Sequence, residues 1–332
     1  MLSRTADNLF WMARHIERAE NTARVLDVAY RSSLLPLDIE CAEAYLWYAP
    51  LNITGCAEGY EAKYGLARAE AVTHFMALDP DNPSSIYSCL KMARENARSV
   101  RGAITSEMWE VINATWLELN RLSQQMHKDM LSDFCDWVKD RSHLFRGVTL
   151  GTIQKDVALS FIKLGTFLER ADNTARILDV KYHILLPSVN DVGGAADYYQ
   201  WGSLLKSVSA FEAYRKIYRD VISPVRVAEL LILRDDMPRS LHACMNEVEA
   251  ALVDINGSSG IEARRKGGEL HAELHFGRIE TVMAEGLHEY LTHFLANTAV
   301  LGGEIRNAYL SRRDLFVPSK PASGPSVALL MQ

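Results

Sequence analysis

The chain has 332 residues, 48% hydrophobic and 23% charged, with a net charge of −6. These proportions exclude a disordered or fibrous chain. The acid excess argues against a surface built to neutralise phosphates, so nucleic acid is not an expected partner.

Proline placement points to helices. None of the ten prolines lies between Pro83 and Pro187 or between Pro238 and Pro318. Proline removes a donor and clashes with the preceding turn, so long proline-free runs of periodic apolar residues read as helix. The spacing predicts helices over 4–33, 40–51, 54–77, 84–102, 105–135 and 136–149, then 153–184, 195–218, 223–234, 239–255 and an interrupted stretch 261–315. Breaks fall at Leu35-Pro36, Asp79–Pro83, Leu186-Pro187, Arg234–Pro238 and Asn256–Gly260. No alternating β pattern interrupts them, so the predicted fold class is all-α. The tail 317–332, with Pro318, Pro321 and Pro325, is expected to be flexible.

Within this frame the chain repeats itself. Glu17–Tyr30 and Glu169–Tyr182 are identical at 11 of 14 positions. Trp47 matches Trp201, Tyr60 matches Tyr214, and Pro83, Ser85 and Cys89 match Pro238, Ser240 and Cys244. The expected organisation is two repeats, 1–152 and 153–316, packed as pseudo-twofold halves through the repeated helices. On the first of these, Leu9, Met12, Ile16, Ala19, Ala23, Leu26 and Tyr30 share a core face. Glu17, Glu20, Arg24, Asp27 and Arg31 form a stripe on its border, and small Ala19, Ala23, Ala171 and Ala175 permit close helix approach. Solvated charges drift between copies, yet Glu17, Arg24 and Asp27 recur as Glu169, Arg176 and Asp179, with Asp172 for Glu20 and His183 for Arg31. Two readings stand: a buried polar network joining the helices, or a pocket in which Arg24 and Arg176 grip an anionic substrate while Glu17 or Glu169 handles protons. A third echo, Ala93–Arg98 with Arg101, Glu107 and Glu110, reads as a solvated face with local ion pairs.

Other chemistry is sparse. Five scattered cysteines without a C-x-x-C pair point to reduced thiols and a cytoplasmic setting. The longest stretches without Asp, Glu, Lys or Arg, 44–57 and 290–303, are short of the roughly 20 apolar residues a membrane span needs. Early charges such as Arg4, Asp7 and Arg14 interrupt any signal-peptide core. No phosphate loop or nucleophile elbow occurs. His271 and His275 share one helical face, a spacing that can chelate a metal, and Glu285–His288 is the single E-x-x-H. Hydrogen-bonded or solvated histidine is the default for these, and no metal or cofactor is assigned. Trp11, Trp47, Tyr48, Tyr198, Tyr199 and Trp201 read as core before they read as groove.

The opening Met1–Met12, Glu-Arg-Ala-Glu-Asn-Thr-Ala-Arg at 17–24, its twin at 169–176, Arg94–Arg98 and Gly286–Glu289 resemble the Alpha-E family of bacterial all-helical domains. The likeness extends over about 1–316. It implies company with a circularly permuted ATP-grasp protein and with a transglutaminase-like peptidase, in a setting of ATP-dependent peptide or amide ligation. The signature residues it carries over are Glu17, Arg18, Asn21 and Arg24, with Glu169, Arg170, Asn173 and Arg176. These are the candidate substrate-binding residues, with no catalytic role assigned. Thr166 and Phe167 depart from the more polar residues usual before the second motif. The expectation is a component binding a ligase partner or an anionic or peptidic substrate. The alternatives are an enzyme in its own right or a helical scaffold.

Overall fold

A computed structural model describes residues 1–34, 40–124, 130–183, 195–255 and 260–310. Among them the chain is all-helical and contains no strand. The first half contributes α1 (Ser3–Ser33), α2 (Glu40–Ile53), α3 (Ala57–Tyr64), α4 (Ala69–Ala77), α5 (Ile86–Ser99), α6 (Ser106–Ser123) and α7 (Leu131–Thr152). The second contributes α8 (Val157–His183), α9 (Ala195–Ser207), α10 (Phe211–Tyr218), α11 (Pro224–Ile232), α12 (Leu241–Ile255), α13 (Ile261–His275), α14 (Ile279–Glu285) and α15 (Leu287–Tyr309).

Helices α1, α5, α6 and α7 pack in a ring, each against two neighbours. Helices α8, α12, α13 and α15 form a second ring, and α1 lies along α8 to join the two. Joining two bundles through one helix pair requires a close backbone approach. Ala19, Ala23, Ala171 and Ala175 are fully buried. A Cβ at Gly165 of α8 would sit 2.2 Å from the Phe10 carbonyl oxygen of α1. The apolar face expected on α1 is core, with Leu9, Met12, Ala19, Ala23 and Leu26 excluded from solvent. Its two ends feed different clusters: Leu9, Met12 and Ile16 join the core shared with the second bundle, while Ala19, Ala23, Leu26 and Ala29 join that of the first.

Several helix boundaries differ from the periodicity. The stretch 54–77 divides at Gly65, whose φ of +73° ends α3. The Tyr60 hydroxyl clasps the turn, donating to the Leu66 carbonyl at 3.2 Å and accepting from the Arg68 amide at 3.3 Å. The stretch 195–218 divides at Ser209, with φ +53°. At the turn after α10, Tyr214 repeats the clasp, donating to the Val221 carbonyl at 3.1 Å and accepting from the Ser223 amide at 2.9 Å. The break expected at 135/136 falls instead between α6 and α7. No glycine or proline lies between Gly102 and Gly147, so composition carried no signal of it. The last stretch is three helices, and Gly286, at φ +105°, separates Glu285 from His288. The E-x-x-H therefore does not share one helical face.

Ser85 and Ser240 play one role: each hydroxyl accepts an amide hydrogen three residues on, at the start of α5 and α12. Trp47 and Trp201 are both buried, and Cys89 and Cys244 fully so, while Tyr198 and Tyr199 are exposed. The described cysteines, Cys56, Cys89, Cys135 and Cys244, are free thiols. Burial pushes Cys89 and Cys244 up to about 12, which keeps them as thiols at neutral pH. No helix among the described residues is long and apolar enough to cross a membrane. The expectations for Pro36, Pro187, Asn256–Ser259 and the tail 317–332 fall outside the described residues.

Candidate functional site

The stripe expected on the border of the α1 core lies inside the molecule from Glu17 to Asp27, covered by α7, α8 and the loop entering α12, while Arg31 at its end is exposed and bound to Asp27 at 2.8 Å. Glu17, Glu20, Asn21 and Arg24 are all buried. Glu17 accepts two parallel bonds from Arg170 of α8, both 2.9 Å. It also takes Arg146 of α7 at 3.0 Å and Arg239 at 3.1 Å. Glu20, one turn on, binds Arg24 at 2.8 Å and the Ser142 hydroxyl at 2.6 Å. It shares Arg146 and Arg239 with Glu17. Arg24 continues to the Ser209 hydroxyl at 2.6 Å, and His143 lies 3.3 Å away. Asn21 accepts from Arg239 through its side-chain oxygen at 3.1 Å.

The second motif makes the reciprocal exchange. Glu169 accepts from Arg18 at 2.5 and 3.0 Å, again bidentate, and from Arg14 at 2.7 Å. Arg14 also lies over the Trp11 ring, 5.1 Å from its centroid, and Arg170 over that of Phe167 at 5.0 Å. Phe167 thus supports a guanidinium from the position where a more polar residue was expected. Among the described residues Asp172 bonds to Arg176 alone, at 2.7 and 3.3 Å. Asn173 is buried beside them.

Such a cluster is stable only if burial is outweighed by pairing. Burial pushes Glu17 up, but Arg170 and Arg239 hold it below its usual range. For Glu20 burial is again opposed, by the His143 hydrogen bond and then by Arg239, Arg146 and Arg24, which leave it well below. Glu169 is buried too, and Arg14 and Arg18 bring it to about 2. Arg239 goes the other way: burial pulls it down to about 10, aided by Arg24 and Arg170 and resisted by Glu17 and Glu20. It still carries its charge at neutral pH. The three glutamates are therefore carboxylates held as hydrogen-bond acceptors.

All eight expected residues gather along the α1–α8 seam. Arg14, Ser142, His143, Arg146, Ser209 and Arg239 complete the cluster and were not expected. Arg239 reaches Glu20 across 219 positions of chain. It stands between Pro238 and Ser240, opposite Ser84 when the two like stretches of sequence are aligned, so that alignment removes it from view. Its backbone is held by Thr174 of the second motif, whose hydroxyl donates to the Arg239 carbonyl at 2.8 Å. The Arg94–Arg98 echo lies apart: Arg94 binds Asn113 at 2.9 Å, and Glu95 pairs with Arg94 and Arg98 on a solvated face.

Residues 1–310 match the family described as a predicted alpha-helical domain with a conserved ER motif. The chain belongs to the Alpha-E family. Its only two Glu-Arg dipeptides are 17–18 and 169–170, so in this member each Glu binds the Arg of the other pair. An uncharacterized protein of Mycobacterium bovis is 26% identical over 99% of the chain, and one of Mycobacterium tuberculosis strain H37Rv is 25% identical over the same share. The chain spans 39% of the length of these relatives. No solved structure matches it.

Proposed function

We propose that this Alpha-E chain is a binding component of an ATP-grasp-linked peptide or amide ligation system, and that its Glu-Arg motifs are the internal clamp of the fold. The observation that carries this reading is the pairing of Glu17. It is 1% exposed and held by Arg170, Arg146 and Arg239. A carboxylate so placed has neither access to a substrate nor a proton to exchange near neutral pH. The partner reading comes from the family resemblance, and the relatives' greater length accords with a unit that works joined to other chain. Their additional segments are where a circularly permuted ATP-grasp activity would lie. A transglutaminase-like peptidase is the second partner in this scheme, and the cytoplasm its setting.

On the same reading the halves arose by duplication and face each other across a pseudo-twofold axis between α1 and α8. In a twofold contact, if residue i touches j then j touches i. Glu17–Arg170 and Glu169–Arg18 follow that rule, and the Tyr60 and Tyr214 clasps repeat the local structure.

A second reading keeps an anionic-ligand site at the open end of the second motif. There Arg176 is 40% exposed, Arg18 26% and Arg14 20%, against Glu169 and Asp172. A peptide carboxylate or acidic side chain would suit that edge.

The test is co-purification of the untagged chain with a circularly permuted ATP-grasp protein encoded beside it, followed by ATP turnover with a peptide acceptor. Stable association and stimulated turnover are expected. Absence of both overturns the partner reading. Turnover of a peptide by the isolated chain, abolished by Arg176→Ala, would favour the second.

A further inference from the structure

Three histidines meet in the second bundle, away from the Glu-Arg seam. Only His271 and His275 were visible as a pair in sequence. The fold adds His242, from the first turn of α12, 29 residues before His271. The three ring centroids lie 5.8, 5.4 and 5.5 Å apart, close to an equilateral triangle. One ring nitrogen from each residue falls within 4.8 Å of the other two.

We propose that His242, His271 and His275 form a site for a divalent transition-metal ion of the zinc class. Metal–imidazole bonds of about 2.0–2.1 Å at a tetrahedral angle place two ligand nitrogens about 3.3 Å apart. His242 Nε2 and His275 Nδ1 are 3.4 Å apart. That separation suits two ligands of one ion better than an N–H···N hydrogen bond.

The surroundings are those of a ligand set. His242 Nδ1 lies 2.8 Å from the Leu233 carbonyl, which can only accept, so the proton sits on Nδ1. The lone pair is therefore on Nε2, aimed at His275. A backbone carbonyl that fixes the tautomer and ring plane is the usual outer support of a metal-bound histidine. His271 is anchored at 2.8 Å by the Asn246 side-chain oxygen, and its other nitrogen lies 3.3 Å from a Glu249 carboxylate oxygen. Glu249 brings a negative charge to the rim, which favours a cation. Burial grades from His242, buried, through His271, half-buried, to His275, exposed. An ion thus has a path from solvent and a buried ligand to hold it. Three imidazoles select zinc, nickel, cobalt or copper over magnesium or calcium, which prefer oxygen. Three protein ligands leave the fourth position to water, Glu249 or a partner's group.

The site also bears on the Glu-Arg network. His242 follows Arg239 by three residues, across the turn that enters α12. An ion tying this turn to α13 would hold Arg239 against Glu17 and Glu20.

The test uses the untagged full chain, stripped with EDTA, dialysed, and titrated with Zn²⁺ by calorimetry and with Co²⁺ by visible absorption. One equivalent per chain, a tetrahedral Co²⁺ spectrum and a raised Tm are expected. His275→Ala and His271→Ala, both outside the tight core, should weaken Zn²⁺ binding at least about tenfold and abolish the Co²⁺ spectrum. His74→Ala should change neither. Lack of stoichiometric binding, or equal binding by His275→Ala and the parent, would overturn the site.

Discussion

The two Glu-Arg motifs begin as nearly the same peptide and end in different environments. In the first, Glu20 is fully buried and receives Arg24, Arg146, Arg239 and Ser142. In the second, Asp172 occupies the matching place, is 28% exposed and, among the described residues, holds Arg176 alone. Part of the difference is Asp172 itself, one methylene shorter than Glu20, and the rest comes from residues outside the motifs. Arg239 stands where the first repeat has Ser84, and it closes the cluster around Glu17 and Glu20. Thr174 supports Arg239, whereas its counterpart Thr22 has a buried hydroxyl with no partner among the described residues. Nearly identical motifs can therefore serve as a sealed joint on one side and a half-open edge on the other.

Removing Arg239 should separate the two most sharply. Arg239→Ala leaves Glu17 and Glu20 adjacent and under-compensated in the interior, and a loss of about 3–5 kcal/mol is expected in urea unfolding. A loss under 1 kcal/mol would mean that the first motif is not the sealed one.

Acid should reach the second motif through Glu169. Its folded pKa of about 2 lies below the ordinary carboxyl value of 4.5, so its contribution is complete above pH 4.5 and is lost as pH falls toward 2. The size is about 3 kcal/mol, from the shift converted at 1.36 kcal/mol per unit. Stability measured from pH 6 to 2.5 should fall less steeply in Glu169→Gln than in the parent.

Gly165→Ala tests the seam that both motifs share. The new Cβ meets the Phe10 carbonyl oxygen, and a loss of about 1–3 kcal/mol is expected despite alanine's better helix propensity. An unchanged Tm would show that α8 can shift away from α1 at no cost. Arg176→Ala should have the smallest effect, under about 1 kcal/mol, because its pair with Asp172 is partly solvated. If it costs as much as Arg239→Ala, the contrast between the motifs fails.

Much of this was legible in the residues. Proline gaps and 3.6-residue periodicity marked the helical class, and the small Ala19, Ala23, Ala171 and Ala175 marked the seam. The charges common to the two Glu-Arg segments marked residues that had to be satisfied together, and left a buried network and an anion pocket both open. Breaks made by Gly65, Ser209 and Gly286 were harder to place, since a single left-handed residue hardly disturbs an apolar pattern. The α6–α7 break had no glycine or proline to announce it.

By itself the sequence determined the helical class, the likeness of the two Glu-Arg segments, the family and the residues that had to be satisfied together. These follow from local periodicity and from comparing the chain with itself. Tertiary structure alone decided which charges are sealed and which remain half-open. It also brought Arg146, Arg239 and His242 to their partners. Side chains far apart in sequence meet only when helices pack, and a buried charge is defined by what covers it, which no local pattern records.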